Sequence, residues 1–311
     1  ILVVIAAGNG QQSAPEEFVG SPGTASKALT VGAINRSDSV SNFSSRGNLS
    51  APVVKPDVVA PGGSGVTREA IVSVDSNDRD SVIDRNFSPA TEILSGDAFA
   101  NDYSLKLGTS IASPHVAGVA ALLADALQRP WDFDSGADAL RVKKVICMTA
   151  SEVQSGESAS PGAAGRAASP KDNVEGYGRV NAKAAVDALT RSLDLNTTQT
   201  GSLGDDFGDD RVWARRTYIF ANSPYDFSLS VPAGADFDLY LYNPDPTPNG
   251  EPVIAASSAA SALGGSETVS NFVSTTSGYY CVVVKRVSGD GTFQFIGSGK
   301  TAAQDRWQFY E

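Results

Sequence analysis

The character of the chain changes once, near Ser192, and that change fixes what it can fold into. Before it, short apolar runs alternate with loops and amphipathic stretches; beyond it no helical periodicity survives. Ile1–Ala7, Ala28–Ala33 and Val53–Ala60 read as strands, the first ending at Gly8-Asn9-Gly10 and the third at Pro61-Gly62-Gly63. The unbroken apolar run at the start is the pattern of a parallel strand covered on both faces. Helices are expected over Ser110–Gln128, where Val116, Val119, Ala120, Leu123 and Leu127 recur at helical spacing, over Ala137–Met148, and over Ala182–Arg191 behind an Asn181 N-cap. Strands interleaved with helices imply an α/β domain, a three-layer parallel sheet with helices on both faces.

After Ser192 the pattern has period two. Tyr225–Val231, Asp236–Tyr242 and Gly278–Arg286 alternate apolar and polar residues between Pro, Asn and Gly turns, as strands of an all-β sandwich do. The expected organisation is a domain over 1–195, a Gly/Asp-rich linker over 196–211 and a β-sandwich over 212–311 with a separable core. A length of 311 residues accommodates two such cores. Because the chain opens on Ile inside an apolar run, the first domain is expected to begin partway through its fold, with any signal peptide upstream.

Charge excludes some partners. With 35 acidic against 24 basic residues the net charge is −11, so nucleic acid and anionic membrane surfaces are disfavoured. The longest apolar run, Ile1 to Ala7, is too short to span a bilayer, and no membrane span is expected. Cys147 and Cys281 are too few for a disulfide framework and are expected as buried, unpaired thiols in different domains. Asp75, Asp78, Asp80 and Asp84, in a long polar stretch between Gly62 and Leu107, suit either structural calcium or a solvated acidic loop. No cofactor is required by anything else in the sequence.

The chemistry concentrates in Leu107-Gly-Thr-Ser-Ile-Ala-Ser-Pro-His-Val-Ala-Gly118. Ser110 stands at a helix start, where the dipole and free backbone N–H groups stabilise an anion. Pro114 is expected in the first turn, where its missing N–H costs nothing. By position alone Ser110 could equally be an N-cap, and Asn9 in Gly-Asn-Gly an ordinary turn residue. His115 is the only histidine, yet five residues along a helix turn through about 500° and rise about 7.5 Å. Its ring therefore points away from the Ser110 hydroxyl.

That motif resembles, almost letter for letter, the nucleophile motif of the subtilisin-like serine peptidases. Ile1-Leu-Val-Val-Ile-Ala-Ala-Gly-Asn9, Asn42-Phe-Ser-Ser-Arg-Gly47, Lys55-Pro-Asp-Val-Val-Ala-Pro-Gly62 and Gly176-Tyr-Gly-Arg-Val-Asn181 are similar to further stretches of that family, in the same order. The resemblance implies a secreted, monomeric serine endopeptidase acting on polypeptides. In it Ser110 is the nucleophile, Asn9 the oxyanion-hole amide, and Ala7, Gly8 and Gly20 line the primary specificity pocket. The family's catalytic Asp and His precede the asparagine strand, so these 311 residues alone are expected to be inactive. The rival implied by the same likeness is a non-catalytic relative that binds peptide or extracellular polymer. Asp236-Phe-Asp-Leu-Tyr-Leu-Tyr-Asn243, Gly278-Tyr-Tyr-Cys-Val-Val-Val284 and Thr292-Phe-Gln-Phe295 resemble the bacterial pre-peptidase C-terminal domain.

Overall fold

The computed structural model describes residues 1–10, 18–48, 50–64, 69–74, 103–128, 137–153, 171–204, 209–259 and 263–301. The chain divides into two compact units. One comprises Leu2–Val119 and Val153–Val180; the other comprises Ala120–Glu152 and Asn181–Glu311, together with Ile1. The first centres on a three-stranded parallel sheet, β1 (Val4–Ala6), β2 (Leu29–Ile34) and β3 (Val58–Pro61), in the order β1-β2-β3. Every residue of β2 is buried, as its central place requires. β1 is shorter than its apolar run and only half-buried, because within the described residues it pairs on one side alone; Val3 beside it is 54% exposed. β3 starts at Val58, not Val53, because Pro56 cannot donate to a ladder. A hairpin of β4 (Ile71–Val74) and β5 (Tyr103–Lys106) follows.

Lys55 and Asp57, just before β3, have their side chains 2% and 0% exposed and form a 2.7 Å ion pair. Lys171, 4% exposed, approaches the other Asp57 oxygen at 2.9 Å. Asp57 also accepts the Thr30 N–H at 2.8 Å, so one carboxylate joins β2, β3 and the 171–177 turn.

Helix α1 (Thr109–Gln128) matches the expected range, but Pro114 lies inside it and not in its first turn. The expectation of a harmless position is corrected: Pro114 deprives the Ser110 carbonyl of its usual i+4 donor. By length and composition α1 would also suffice to cross a bilayer, with a mean hydropathy of 1.4 over Thr109–Leu127. Ala and Gly raise the average without forming a continuous apolar run, and core helices pass the same test; Ala112, Val116 and Leu123 are fully buried. α2 (Ala137–Met148) and α3 (Ala182–Thr190) follow, and Asn181 caps α3 by accepting the Ala184 N–H at 3.0 Å.

The second unit holds two antiparallel four-stranded sheets. One has the order β10 (Ile254–Ser258), β9 (Asp236–Tyr242), β12 (Gly278–Ser288), β7 (Val212–Ile219). The other runs β11 (Glu267–Val273), β8 (Pro224–Ser230), β13 (Gly291–Ser298), β6 (Thr198–Leu203). Trp213, Phe227, Phe237, Phe293 and Phe295 belong to its core, with Trp213 and Phe293 edge to face at 5.8 Å. Gly201 is required opposite Phe293, whose ring would lie 2.3 Å from any Cβ there.

Three expectations about organisation are corrected. The stretch read as a 196–211 linker contains β6, which pairs with β13 throughout its length. α2 and α3 belong to the unit of the sandwich, not to that of the parallel sheet, so the boundary is not a single cut near residue 196. Cys147 and Cys281, both buried and outside any disulfide as expected, therefore share one unit. Burial pushes the Cys281 thiol up to about 12, which keeps it protonated and unreactive.

Lys144 on α2 donates to the carbonyls of Asn243 at 2.5 Å and Pro244 at 2.7 Å. Burial pulls its ammonium down to about 8, opposed by Cys281 and Asp245 and reinforced by Arg141. Between that value and the ordinary 10.5 the unfolded chain binds more protons than the folded one. Stability should therefore rise from pH 8 to pH 10.5, by on the order of 1–3 kcal/mol. Comparing urea midpoints of the wild type and Lys144→Met across that range isolates the slope, which the variant should lack.

Candidate active site

The carboxyl ends of β1 and β3 both lead to the start of α1. β3 runs into Pro61-Gly62-Gly63, where the Gly62 carbonyl accepts the Gly108 N–H at 2.8 Å. Gly62 must lack a side chain, since a Cβ would stand 2.6 Å from the Ala33 Cβ and 2.8 Å from the Gly108 oxygen. β1 runs through Ala7 into Gly8, whose φ of +108° and contact with Ser45 suit only glycine. Ala7 is buried and donates to the Val31 carbonyl at 2.8 Å, fixing the strand end beneath the turn.

The Asn42–Gly47 turn braces this loop. Ser45 donates its N–H to the Gly8 carbonyl at 2.9 Å and accepts the Gly10 N–H on its hydroxyl at 3.2 Å. Ser44 in turn accepts the Ala33 N–H at 3.0 Å, tying the brace to β2. The two serines of the motif thus support the site without lying in it.

Asn9 and Ser110 come together. The Asn9 Oδ1 accepts both the N–H and the hydroxyl of Thr109, each at 3.0 Å, and the Thr109 Oγ1 accepts the Gly8 N–H at 3.1 Å. With its oxygen held by an obligate donor, the amide must turn its Nδ2 the other way. A Cβ on Gly108 would stand 3.1 Å from Asn9 Nδ2 and 3.2 Å from Ser110 Oγ, so both groups border the space that this glycine leaves open. Ser110 is exposed, as the second residue of α1, beside N–H groups already engaged, that of Thr109 on Asn9 and those of Ile111 and Ala112 on the Gly108 carbonyl. Thr109 was not singled out from the sequence; its position between Gly108 and Ser110 was the available signal.

The remaining candidates separate from this cluster. Gly20 is exposed, with no heavy atom within 4 Å of a would-be Cβ, and its carbonyl accepts the Thr24 N–H at 3.2 Å. No contact joins it to Asn9 or Ser110 among the described residues. The His115 Nδ1 faces the Ile111 carbonyl at 2.9 Å, which makes it a donor and confirms that the ring folds back along α1. Asp75, Asp78, Asp80 and Asp84 lie outside the described residues. Among those described, no group of three His, Cys, Asp or Glu side chains is gathered as a metal ion would need.

A sequence model of the subtilase family matches residues 1–183. The serine protease AprX of Bacillus subtilis is 35% identical over 131 residues, which are 40% of this chain and 26% of that protein. The chain thus spans about a quarter of the length of this relative. Among solved structures, the serine protease of Aeromonas sobria aligns with 95% of this chain and 64% of its own, at 15% identity and a TM-score of 0.39. The pre-peptidase C-terminal domain of a Bacillus anthracis collagenase aligns over 35% of this chain and 93% of its own, at 21% identity and a TM-score of 0.26.

Proposed function

Since the chain belongs to the subtilase family of serine peptidases, we propose that it forms the part of a secreted endopeptidase in which Ser110 attacks the scissile carbonyl and Asn9 stabilises the oxyanion. The observation that carries this reading is the shared position of Asn9 Nδ2 and Ser110 Oγ beside Gly108. Attack forms the Ser110 Oγ–carbon bond and moves the carbonyl π electrons onto oxygen. That charge is met by Asn9 Nδ2 and the Ser110 N–H, while the Ser110 proton passes to a base. Collapse returns the proton to the leaving amine and leaves an acyl-Ser110, which water hydrolyses by the same steps. His115 is not the base, because its ring folds back along α1 onto the Ile111 carbonyl and away from the Ser110 hydroxyl. In this proposal the base and its aspartate lie on polypeptide outside these 311 residues, Ala7, Gly8 and Gly20 contact the substrate, and no cofactor takes part.

The test is Asn9→Ala in the protein joined to the segment that carries the base. Turnover should fall by about 10²–10³-fold with substrate affinity little changed, because the amide acts on charge present only in the transition state. Asn9→Asp should be at least as harmful, a carboxylate there repelling the oxyanion. If Asn9 were a turn residue only, Asn9→Gly would be nearly silent. Normal turnover in a folded Asn9→Ala protein would remove Asn9 from the mechanism.

A further inference from the structure

The first sandwich sheet is buried on two faces. One face carries Trp213, Leu239, Leu241, Val282 and Val284 into the core shared with the second sheet. On the opposite face the register sets Cys281 between Tyr242 and Arg216, and Val283 between Tyr240 and Ala214. Tyr240, Tyr242, Ala214, Cys281 and Val283 there are all no more than 4% exposed. The second sheet behaves differently: Asp226, Ser230, Thr292 and Gln294 on its outer face are open to solvent.

One helix of the same unit bears on the covered face and a second on the edge of the sheet. α3 lies along the edge strand β7, where Asp187 accepts at 3.1 Å from Arg215, which is on the Trp213 side of the strand, and the Arg191 carbonyl accepts the Arg216 N–H at 3.0 Å. α2 grips the segment after β9 through Lys144 on the Asn243 and Pro244 carbonyls. Gly250, with φ of +83°, fits against Leu140 and Lys143, whose side chains would stand 3.1 and 3.0 Å from a Cβ. Cys147 of α2 lies near enough to Tyr242 to help Cys281 and burial push its phenol upward.

We propose that this outer face is a permanent docking surface for α2, so that the β-sandwich stays bound to it after the chain connecting them is cut. Its occupant is settled by what the face already meets. Left bare, two tyrosines, a thiol and two aliphatic side chains would form a contiguous apolar patch of the few hundred Å² at which a surface ordinarily has a partner. A module released by cleavage would have to expose it. The Tyr242 hydroxyl, buried with no hydrogen-bond partner among the described residues, adds nothing polar to hold the face together.

The test uses the whole chain with a site-specific protease sequence placed between Gly204 and Asp209. After complete cleavage, the two pieces should elute together at the position of the uncut protein and part only in urea. Because β6 and β13 pair across the cut, two variants confined to the docked face identify what holds the pieces. Val283→Arg buries an unpaired charge and should increase release in buffer by about tenfold or more. Lys144→Ala, which alters only the helix side, should act in the same direction. Tyr242→Phe should release no more than the wild type. Separation of the nicked wild-type pieces in buffer would overturn the proposal, as would equal retention in nicked Lys144→Ala or Val283→Arg.

Discussion

Asp57→Ala should cost about 3–5 kcal/mol of folding stability, because it removes the carboxylate shared by two lysines that water does not reach. Lys55 and Lys171 keep their ammonium groups at 2.7 and 2.9 Å from the Asp57 oxygens, with all three side chains at most 4% exposed. The Thr30 N–H loses its acceptor in the same substitution. Asp57→Asn retains an acceptor and fills the space, but it removes the charge and should recover only part of the loss. The consequence reaches the 171–177 turn, since the Tyr177 N–H bonds to the Asp57 carbonyl and Gly176 packs on the same backbone. Urea unfolding of the two variants beside the wild type checks this. A shift below about 1 kcal/mol for Asp57→Ala would show that the lysines find water or other partners without it.

The site and the sheets differ in how much of them is legible in the sequence. Helix and strand existence followed from spacing: α2 and β9 fall where the periodicity puts them. Asn9 and Ser110 could be paired only through the resemblance, because nothing in the spacing of residues 9 and 110 says that β1 and β3 end at the same helix. Thr109 escaped notice since its work, orienting the Asn9 amide, is a tertiary contact 100 positions away in sequence. β7 is hard to read because Arg215 and Arg216 interrupt its alternation; Arg215 lies on the core side, over the Trp213 ring at 4.7 Å, where Asp187 of α3 accepts its guanidinium. β6 reads as a linker because Thr198–Ser202 is polar, as the solvent side of an edge strand should be.

The misplaced domain boundary has a physical lesson in the strand pattern itself. β8 and β13 alternate buried and exposed residues as a half-solvated sheet must, whereas Tyr280–Lys285 of β12 are buried without a break. A continuous apolar run in a strand marks cover on both faces. Cys281-Val-Val-Val284 carries that signal, and the second cover it requires is where α2 packs.

The central claim, that Ser110 is a nucleophile dependent on a base from outside these residues, is met most directly by covalent labelling with a fluorophosphonate, mapped by peptide mass spectrometry. A serine without a base is weakly nucleophilic, and the groups of a triad act as a unit worth up to ~10⁶-fold in rate. The chain of 311 residues should therefore label slowly and without preference among its serines. Joined to the polypeptide that supplies aspartate and histidine, it should label rapidly and on Ser110 alone, and Ser110→Ala should abolish the signal. Rapid, selective labelling of Ser110 in the 311-residue chain by itself, or rapid labelling of the joined protein that persists in Ser110→Ala, would contradict the account.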